Sequence, residues 1–225
     1  MVQVDEGRAP DPADAAFLVL GSWKAGAPDR QRAAAAAIGR AWRARPWPGD
    51  GLRGYGLLAC DDGTTLAHLS PADAPDAAAG QDPSWKGEVD AAVPGIERAG
   101  VVAWRRHRST PSHRDPAEAG CAVLVTRTFD GPDPDRARDL VDALFTAGDK
   151  VPPADGLVAA HFYLGLDGAQ VLNYALWTSS QAHHDAVAHR PPRLADDSDW
   201  QHAHTVPGLR STTVQRFEPL LLLRP

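Results

Sequence analysis

The sequence predicts an α+β fold made of two copies of one β–α–β–β–α–β unit. The main observation is an internal repeat: segments 51–72 (GLRGYGLLACDDGTTLAHLSPA) and 156–177 (GLVAAHFYLGLDGAQVLNYALW) align without a gap, 105 residues apart. Each segment contains two strand-like runs around an Asp-Gly pair, which is a turn signal of β-hairpins. A second observation is that two helix starts, at Pro28 and Pro134, repeat at an offset of 106 residues. We therefore expect the same unit twice in one chain.

The first copy is predicted to span residues 16–106, after a flexible acidic tail at 1–15. Its opening strand is the apolar run FLVLGSW at 17–23, which is typical of a strand buried on both faces. An Ala-rich helix starts at Pro28 and precedes the hairpin, and residues 100–105 (GVVAWR) are predicted as the closing strand. Apolar residues at helical spacing define the buried face of this helix: Ala34, Ile38, Ala41 and Trp42.

The second copy is predicted to span residues 120–225, after a polar linker with two prolines at 107–119. It opens with a strand at 121–129. A helix follows, because Asp133 can cap its N-terminus and a proline suits its first turn. Residues 212–223 are predicted as the last strand. The buried face of the helix is predicted from its apolar spacing: Ala137, Leu140, Val141, Leu144 and Phe145.

Two short motifs near the end of each copy support the repeat. Asp82-x-x-Trp85 and Val93-Pro94-Gly95 recur as Asp197-x-x-Trp200 and Val206-Pro207-Gly208. The resulting order of elements is the ferredoxin-like one, in which helices cover one face of a four-stranded antiparallel sheet. The other face is then apolar and bare. Single-repeat proteins of this type cover it by dimerising, whereas two copies in one chain can cover it internally; a homodimer of the whole chain stays open.

Composition and charge exclude several classes of function. The net charge of −6 with scattered Arg does not suit nucleic acid, which requires a concentrated basic face. The acidic N-terminus does not have the pattern of a signal peptide, and the apolar run at 220–223 is too short to cross a membrane. Cys60 and Cys121 are the only cysteines, so neither a disulfide framework nor a cysteine metal site is expected. We predict a cytoplasmic protein without a membrane partner.

The second hairpin carries a motif that resembles a known family. Its strand reads Asn173-Tyr174-Ala175-Leu176-Trp177 after the turn Leu166-Asp167-Gly168. This pattern, placed after a βα unit and before a short helix, resembles the antibiotic biosynthesis monooxygenase family. The resemblance covers most of residues 120–220 and the outline of 16–106. Its members have the dimeric α/β-barrel fold, so it implies two ferredoxin-like repeats that form an intrachain dimeric α/β-barrel-like arrangement.

The resemblance also implies a reaction. Members related to polyketide pathways oxygenate anthrones or quinols, and tandem-repeat members of angucycline pathways open rings by oxidative C–C cleavage. The implied partner is therefore a small aromatic polyketide of secondary metabolism, with molecular oxygen as co-substrate. The resemblance implies neither a tightly bound metal nor a tightly bound flavin. Reduced flavin supplied by a flavin reductase remains open.

Asn173 and Trp177 are the candidates for the centre of the site. In the family, the Asn and Trp of this motif line the substrate cavity. They lie four residues apart and thus on the same strand face, and both can donate a hydrogen bond to a developing oxyanion or peroxide. The first copy has His68 and Ala72 at the equivalent positions, so we expect the site in the second copy, between its sheet and its helices.

The register of the second hairpin decides whether His161 belongs to this site. With a two-residue type I′ turn, Asn173 pairs with Phe162 and His161 faces the other way. With a bulge at Gly168, His161 comes opposite Asn173 and is a candidate general base, because its charge changes near neutral pH. The sequence leaves both alternatives open. Further aromatic residues of the segment are candidates for substrate binding: Phe162, Tyr163, Tyr174 and Trp200.

Two other functions remain as alternatives. The same fold serves haem-degrading enzymes, which also use Asn, Trp and His, and it serves non-catalytic ligand-binding proteins. A metal enzyme is not expected, because the spacing of the clustered histidines fits no standard zinc or iron pattern. These histidines are His183, His184, His189, His202 and His204.

Overall fold

The computed structural model describes residues 2–49, 51–77 and 84–225. Within these ranges the chain forms nine strands and six α-helices, with a short 3₁₀ helix at Pro116–Glu118. The strands are β1 (Gln3–Glu6), β2 (Phe17–Lys24), β3 (Tyr55–Cys60), β4 (Thr65–Ala72), β5 (Glu97–Ser109), β6 (Cys121–Phe129), β7 (Leu157–Gly165), β8 (Gln170–Trp177) and β9 (Leu209–Arg224). The helices are α1 (Pro28–Arg43), α2 (Ser84–Ala92), α3 (Pro134–Gly148), α4 (Ser180–Ala188), α5 (Pro192–Ala195) and α6 (Ser198–Thr205).

The chain divides into two compact units that are not continuous in sequence. Unit 1 consists of Met1–Trp104, Gly120–Ala122 and Arg216–Pro225, and unit 2 of Arg105–Ala119 and Val123–Gln215. Strands β5, β6 and β9 are therefore each divided between the units.

Both units have the same order of strands. In unit 1 the order is β1-β9-β3-β4-β2-β5, and in unit 2 it is β5-β7-β8-β6-β9. The four strands of the first repeat, β2 to β5, thus lie in the order β3-β4-β2-β5, and those of the second repeat, β6 to β9, in the order β7-β8-β6-β9. This is the ferredoxin-like order in each case. The prediction of an α+β fold with two ferredoxin-like repeats is confirmed.

Two segments differ from what the sequence suggested. The tail predicted at 1–15 contains β1, in which Gln3 pairs with Arg224 and Glu6 with Leu221 of β9. The linker predicted at 107–119 begins inside β5, which continues to Ser109. The end of β5 from Arg105 to Ser109 is polar and β1 has only four residues, so neither segment has a long apolar pattern that would predict its pairing. Asp82, the first residue of the first Asp-x-x-Trp motif, lies outside the described residues.

The core of unit 1 lies between its sheet and helices α1 and α2. All four apolar residues that the helical spacing selected on α1 are buried, and they pack with residues of β2, β3 and β4 and with Trp85 and Val89 of α2. Several aromatic rings are stacked in this layer. Trp23 lies 5.8 Å from Trp85 and Trp42 lies 5.9 Å from Trp85, measured between ring centroids.

The core of unit 2 is built around α3. The side chain of Asp133 accepts a hydrogen bond from the backbone N–H of Arg136 (3.0 Å), so it caps the helix as the sequence predicted. The apolar stripe of Ala137, Leu140 and Val141 is fully buried. This helix therefore packs its apolar face into the core of unit 2.

None of the helices in the described ranges is both long enough and apolar enough to span a lipid bilayer.

Candidate functional site

The register of the second hairpin places Asn173 directly opposite Phe162. In the antiparallel pair β7–β8, Phe162 pairs with Asn173 and His161 pairs with Tyr174. The loop is wider than a two-residue turn, with a hydrogen bond from the N–H of Gly168 to the carbonyl of Gly165 (2.9 Å). Gly168 has a φ of 73°, a left-handed conformation that favours glycine. The structure therefore selects the register in which His161 faces away from Asn173.

Asn173 and Trp177 lie on the surface of the sheet that faces the helices. Phe162, on the same face as its partner Asn173, has its ring 5.3 Å from that of Phe145 of α3. Trp177 has its ring 5.1 Å from that of His183 of α4, in an edge-to-face arrangement. We call this the helix-facing surface of unit 2. It carries the two residues that the motif singled out, together with Phe162.

Helix α4 is held at the end of β8 by its own cap. Ser179 accepts a hydrogen bond from the backbone N–H of Ala182 (3.0 Å), and the backbone N–H of Thr178 donates to the carbonyl of Gly156 (2.8 Å). These bonds fix the chain as it leaves the strand. His183 is thereby held, buried, against the indole of Trp177.

Two polar atoms of the helix-facing surface have no hydrogen-bond partner among the described residues. They are Oδ1 of Asn173 and Nε1 of Trp177, and both atoms are buried. A buried polar group without a partner costs about 1–3 kcal/mol, so such groups are uncommon in native proteins. Buried indole N–H groups without a described partner also occur at Trp42 and Trp85 of unit 1. What distinguishes this surface is therefore the amide oxygen of Asn173, unpartnered among the described residues, on the same strand face as the indole of Trp177.

His161, Tyr163 and Tyr174 lie on the opposite surface of the sheet. His161 stacks on Tyr174 at 6.2 Å between ring centroids, and its Nδ1 lies 3.0 Å from Oγ of Ser109. All three predicted residues are buried there. Because alternate residues of a strand point to opposite faces, a site around Asn173 does not include them. Of the two registers that the sequence left open, the structure has the one in which His161 lies away from Asn173, and the candidate substrate-binding residues Tyr163 and Tyr174 lie on that same opposite surface.

Trp200 lies on the helix side, in α6. Asp197 caps this helix by accepting a hydrogen bond from the backbone N–H of Trp200 (3.2 Å), and Lys150 binds the same carboxylate (2.7 Å). The Asp-x-x-Trp motif of the second copy is thus a helix start. The half-buried indole lies 4.5 Å from the ring of His204, and the guanidinium of Arg190 covers it at 4.6 Å. Its part in substrate binding stays a prediction.

Sequence reasoning missed one charged residue of this layer, Arg127 of β6. Its side chain is only 7% exposed, and its Nε and Nη1 have no hydrogen-bond partner among the described residues. Burial lowers the pKa of this guanidinium. The available signal was its position: Arg127 lies on the same face of β6 as the apolar residues Val123, Val125 and Phe129.

The clustered histidines do not form a metal site in the described part of the chain. No group of three or more His, Cys, Asp or Glu side chains among the described residues is arranged to hold a metal ion. Nδ1–H of His189 and of His204 instead donates to the carbonyl of Asp185 and of Trp200 respectively, one helical turn earlier.

The first copy has a different layer at the equivalent place. His68, the counterpart of Asn173, lies opposite Gly21 of β2 and Leu57 of β3. Its Nδ1 shares a hydrogen bond with the hydroxyl of Tyr55, and its ring lies 4.1 Å from that of Trp23. Burial, with a smaller effect of nearby cations, lowers the pKa of His68 to about 3. The imidazole is therefore neutral at physiological pH.

Unit 1 also has a surface depression of about 280 Å³ beside α1. It is lined by charged and apolar side chains of α1, β1 and β9, among them Glu6, Arg40 and Leu221. None of the predicted site residues belongs to it. The depression has no buried polar group of the kind found around Asn173, and we assign it no role.

Comparison with known proteins identifies the fold. No protein-family model and no curated protein matches the chain. Among solved structures, an anthrone oxidase-like protein is similar with a TM-score of 0.68 and 14% identity, over 98% of this chain and 95% of that one. A proposed monooxygenase from Fusobacterium nucleatum has a TM-score of 0.61 and 9% identity, over 94% and 95%. A proposed monooxygenase from Lactobacillus acidophilus has a TM-score of 0.56 and 9% identity, over 90% of this chain and 94% of that one.

These likenesses establish the class of fold to which the chain belongs. It is the fold of the anthrone oxidase-like and monooxygenase-like proteins, over nearly the whole length of the chain. The resemblance to the antibiotic biosynthesis monooxygenases that the second hairpin indicates is confirmed at the level of the fold.

Proposed function

We propose that the chain is an oxygenase of aromatic polyketides whose site lies on the helix-facing surface of unit 2. The observation that carries this proposal is the pair of buried polar atoms, Oδ1 of Asn173 and Nε1 of Trp177, on one face of β8. Phe162 lies opposite Asn173, and the ring of His183 contacts that of Trp177. Small-molecule sites are mostly apolar, with a few polar groups that fix the orientation of the ligand.

The two atoms match the chemistry of a hydroxylated aromatic ketone. Oδ1 of Asn173 accepts hydrogen bonds, so it suits a phenolic hydroxyl. Nε1–H of Trp177 donates, so it suits a carbonyl oxygen or the enolate oxygen derived from it. The two residues are four positions apart on β8, about 13 Å along the strand, so a flat polycyclic substrate with its hydroxyl and its carbonyl on different rings would satisfy both atoms.

The proposed chemistry uses the substrate as its own reductant. Loss of a proton from the methylene carbon of an anthrone gives an enolate, which passes an electron to O₂. Recombination gives a hydroperoxide on that carbon, and loss of water leaves the quinone carbonyl, so one O₂ yields one new C=O and one H₂O. The Nε1–H of Trp177 would stabilise the enolate oxygen and the amide N–H of Asn173 the developing peroxide, contributions that grow as charge develops.

A base for the first proton transfer is also present on the helix side. His183 is buried in contact with Trp177, and histidine is the usual general base near neutral pH. We assign it this role in place of His161, which lies on the other surface of the sheet.

The similarity to an anthrone oxidase-like protein over 98% of the chain supports an oxygenase. The polyketide substrate and the choice between quinone formation and C–C ring cleavage are part of our proposal. So is the view that molecular oxygen suffices, without a tightly bound metal or flavin.

Oxygen consumption tests the proposal. Purified protein is given anthrone in an oxygen electrode, with and without EDTA, and with and without FMN, NADH and a flavin reductase. We expect uptake of one O₂ per anthrone, anthraquinone as the product, and no effect of EDTA. A flavin-dependent rate would assign the protein to the reduced-flavin branch. Absence of any rate above the spontaneous one, combined with a Soret shift on haem titration, would contradict the proposal in favour of haem binding.

A further inference from the structure

Arg127 points from β6 towards the helices of unit 2. Phe129, two residues further along the same strand, lies under the guanidinium of Arg136 of α3 at 4.6 Å, so this side of the strand faces the helix layer. His204 of α6 gives a second indication. Its pKa is lowered by burial and, to a smaller extent, by the charge of Arg127. Arg127 therefore belongs to the same layer as Asn173 and Trp177.

The guanidinium of Arg127 is buried without a counter-charge. None of the described residues forms an ion pair with it, and burial is the cause of its lowered pKa. Removing a charge from water without pairing it is strongly unfavourable. Other arginines of unit 2 are paired: Arg108 with Asp142 at 2.9 Å, and Arg136 with Asp130 at 2.9 Å.

The repeat places Arg127 near Asn173. At the helix offset of 106 residues, Arg127 corresponds to Gly21 and Phe129 to Trp23. Gly21 lies directly opposite His68, the counterpart of Asn173, and a Cβ built on it would lie 3.6 Å from Cβ of His68. The first copy thus has a glycine and a neutral imidazole where the second has a cation and an amide. Of these two equivalent positions, only the one in the copy with the candidate site therefore carries a positive charge.

We propose that Arg127 binds an anionic oxygen of the ligand on the helix-facing surface of unit 2. The substrate class is then an aromatic compound that carries a carboxylate or an ionised phenol, and the ligand supplies the missing counter-charge. This inference rests on the proposed function in one respect, the location of the site; it does not depend on the reaction proposed there. The planar guanidinium suits a carboxylate or a phenolate beside a carbonyl, since its parallel N–H groups match two oxygens.

Binding of a phenol has a further consequence. The O–H bond breaks, the proton leaves to solvent, and the electron pair stays on the oxygen that faces Arg127. An ionised, electron-rich ring is the form that reacts with oxygen. Arg127 would therefore lower the pKa of a bound phenol.

Two matched ligands test the pairing without any turnover. Anthraquinone-2-carboxylate and its carboxamide differ in charge and little in shape, and tryptophan fluorescence quenching gives the Kd of each. We expect wild type to prefer the carboxylate at least tenfold, Arg127→Met to lose this preference, and Arg127→Lys to keep part of it. Arg210→Met, which removes an exposed arginine of β9 in the same unit, should leave the preference unchanged.

A spectroscopic probe gives a second readout. The visible absorption of alizarin changes when its phenol ionises, and we expect the apparent pKa of the bound dye to lie below that of the free dye in wild type and to return towards it in Arg127→Met. Equal Kd values of the two ligands for wild type would overturn the proposal even if Arg127→Met did not fold. If neither ligand bound, the site of the proposed function would also be wrong. If the carboxylate were preferred but no oxygen were consumed, the anion site would stand and the oxygenase would not.

Discussion

Asn173 of β8 lies directly opposite Phe162 of β7. This pairing turns Asn173, and with it Trp177, towards α3 and α4, where Oδ1 of Asn173 and Nε1 of Trp177 are buried without a hydrogen-bond partner in the described part of the chain. A slip of one residue would exchange the two faces of the strand and bring His161 opposite Asn173. The proposed site, its acceptor and its donor all depend on this single register.

The register predicts that His161 is not the base. We expect His161→Gln to leave the pH profile of oxygen consumption unchanged and to lower turnover by less than about threefold, whereas loss of a general base would cost ~10²–10⁴-fold. Ser109→Ala is the matched control, because it removes the hydrogen-bond partner of His161 (3.0 Å) and keeps the imidazole. Disappearance of one limb of the pH profile in His161→Gln alone would contradict the observed register.

Trp177 should contribute both packing and one hydrogen bond. Trp177→Phe keeps most of the apolar contact with His183 but removes the indole donor, which is worth ~0.5–1.5 kcal/mol. We therefore expect turnover to fall by up to about tenfold, with a modest rise in the Kd of an anthraquinone ligand. Trp47→Phe in unit 1 is the control. An unchanged rate and an unchanged Kd in Trp177→Phe would remove the indole from the site.

His68 should remain neutral in the folded protein down to low pH. Its folded pKa is about 3, below the ordinary value of ~6.5, so the unfolded chain binds the proton more readily. The contribution of His68 to the free energy of unfolding is therefore fully present above about pH 6.5. It decreases by ~1.4 kcal/mol per pH unit as the pH falls from there towards about 3. Urea unfolding at pH 7 and pH 5 should show a smaller pH effect in His68→Asn than in wild type. A substitution of the exposed His113 serves as control, and an equal pH effect in all three proteins would contradict the burial of a neutral imidazole.

The two hairpin turns offer a matched pair of glycine substitutions. Gly63 and Gly168 have φ values of 71° and 73°, so alanine at either position costs ~1–2 kcal/mol of strain. At Gly168 a Cβ would also lie 2.8–3.0 Å from atoms of Pro134, including its backbone nitrogen, whereas at Gly63 it meets only a side-chain atom of Pro28 at 3.3 Å. Gly168→Ala should therefore destabilise its unit more than Gly63→Ala does, as measured by thermal unfolding. The reverse order would contradict the close packing of the second turn on α3.

Much of the fold could be predicted because the repeat supplies the same information twice. Asp133, Pro134 and the Asp-Gly turns mark helix and hairpin boundaries by local chemistry, which does not depend on distant contacts. Strand β1 could not be predicted, since it has only four residues and the alternation of Val2 and Val4 is too short to distinguish a strand from an acidic tail. Its pairing arises only when β9 is in place.

The site could be predicted in part. Asn173 and Trp177 stand out because a polar amide and an indole at i and i+4 share one face of an apolar strand. The β7 residues opposite them depend on register, which a hairpin sequence with Asp-Gly does not decide, so the position of His161 stayed open. Tyr174 lies on the other surface by strand alternation alone. Arg127 escaped notice because a single arginine in a strand is ordinarily solvated, and its burial follows only from the packing of α3 and α6 over β6.

The most direct measurement compares wild type with Asn173→Ala in the oxygen electrode, with anthrone as substrate. We expect turnover to fall by ~10²–10³, the usual loss for one donor to a developing oxyanion, while the KM changes little because the bond strengthens mainly as charge develops. Thr128→Ala, on the other face of the neighbouring strand and bonded to Gln170 (3.0 Å), is the control and should retain most of the rate. Full activity of Asn173→Ala, alongside a folded protein that still binds the ligand, would contradict the assignment of the site.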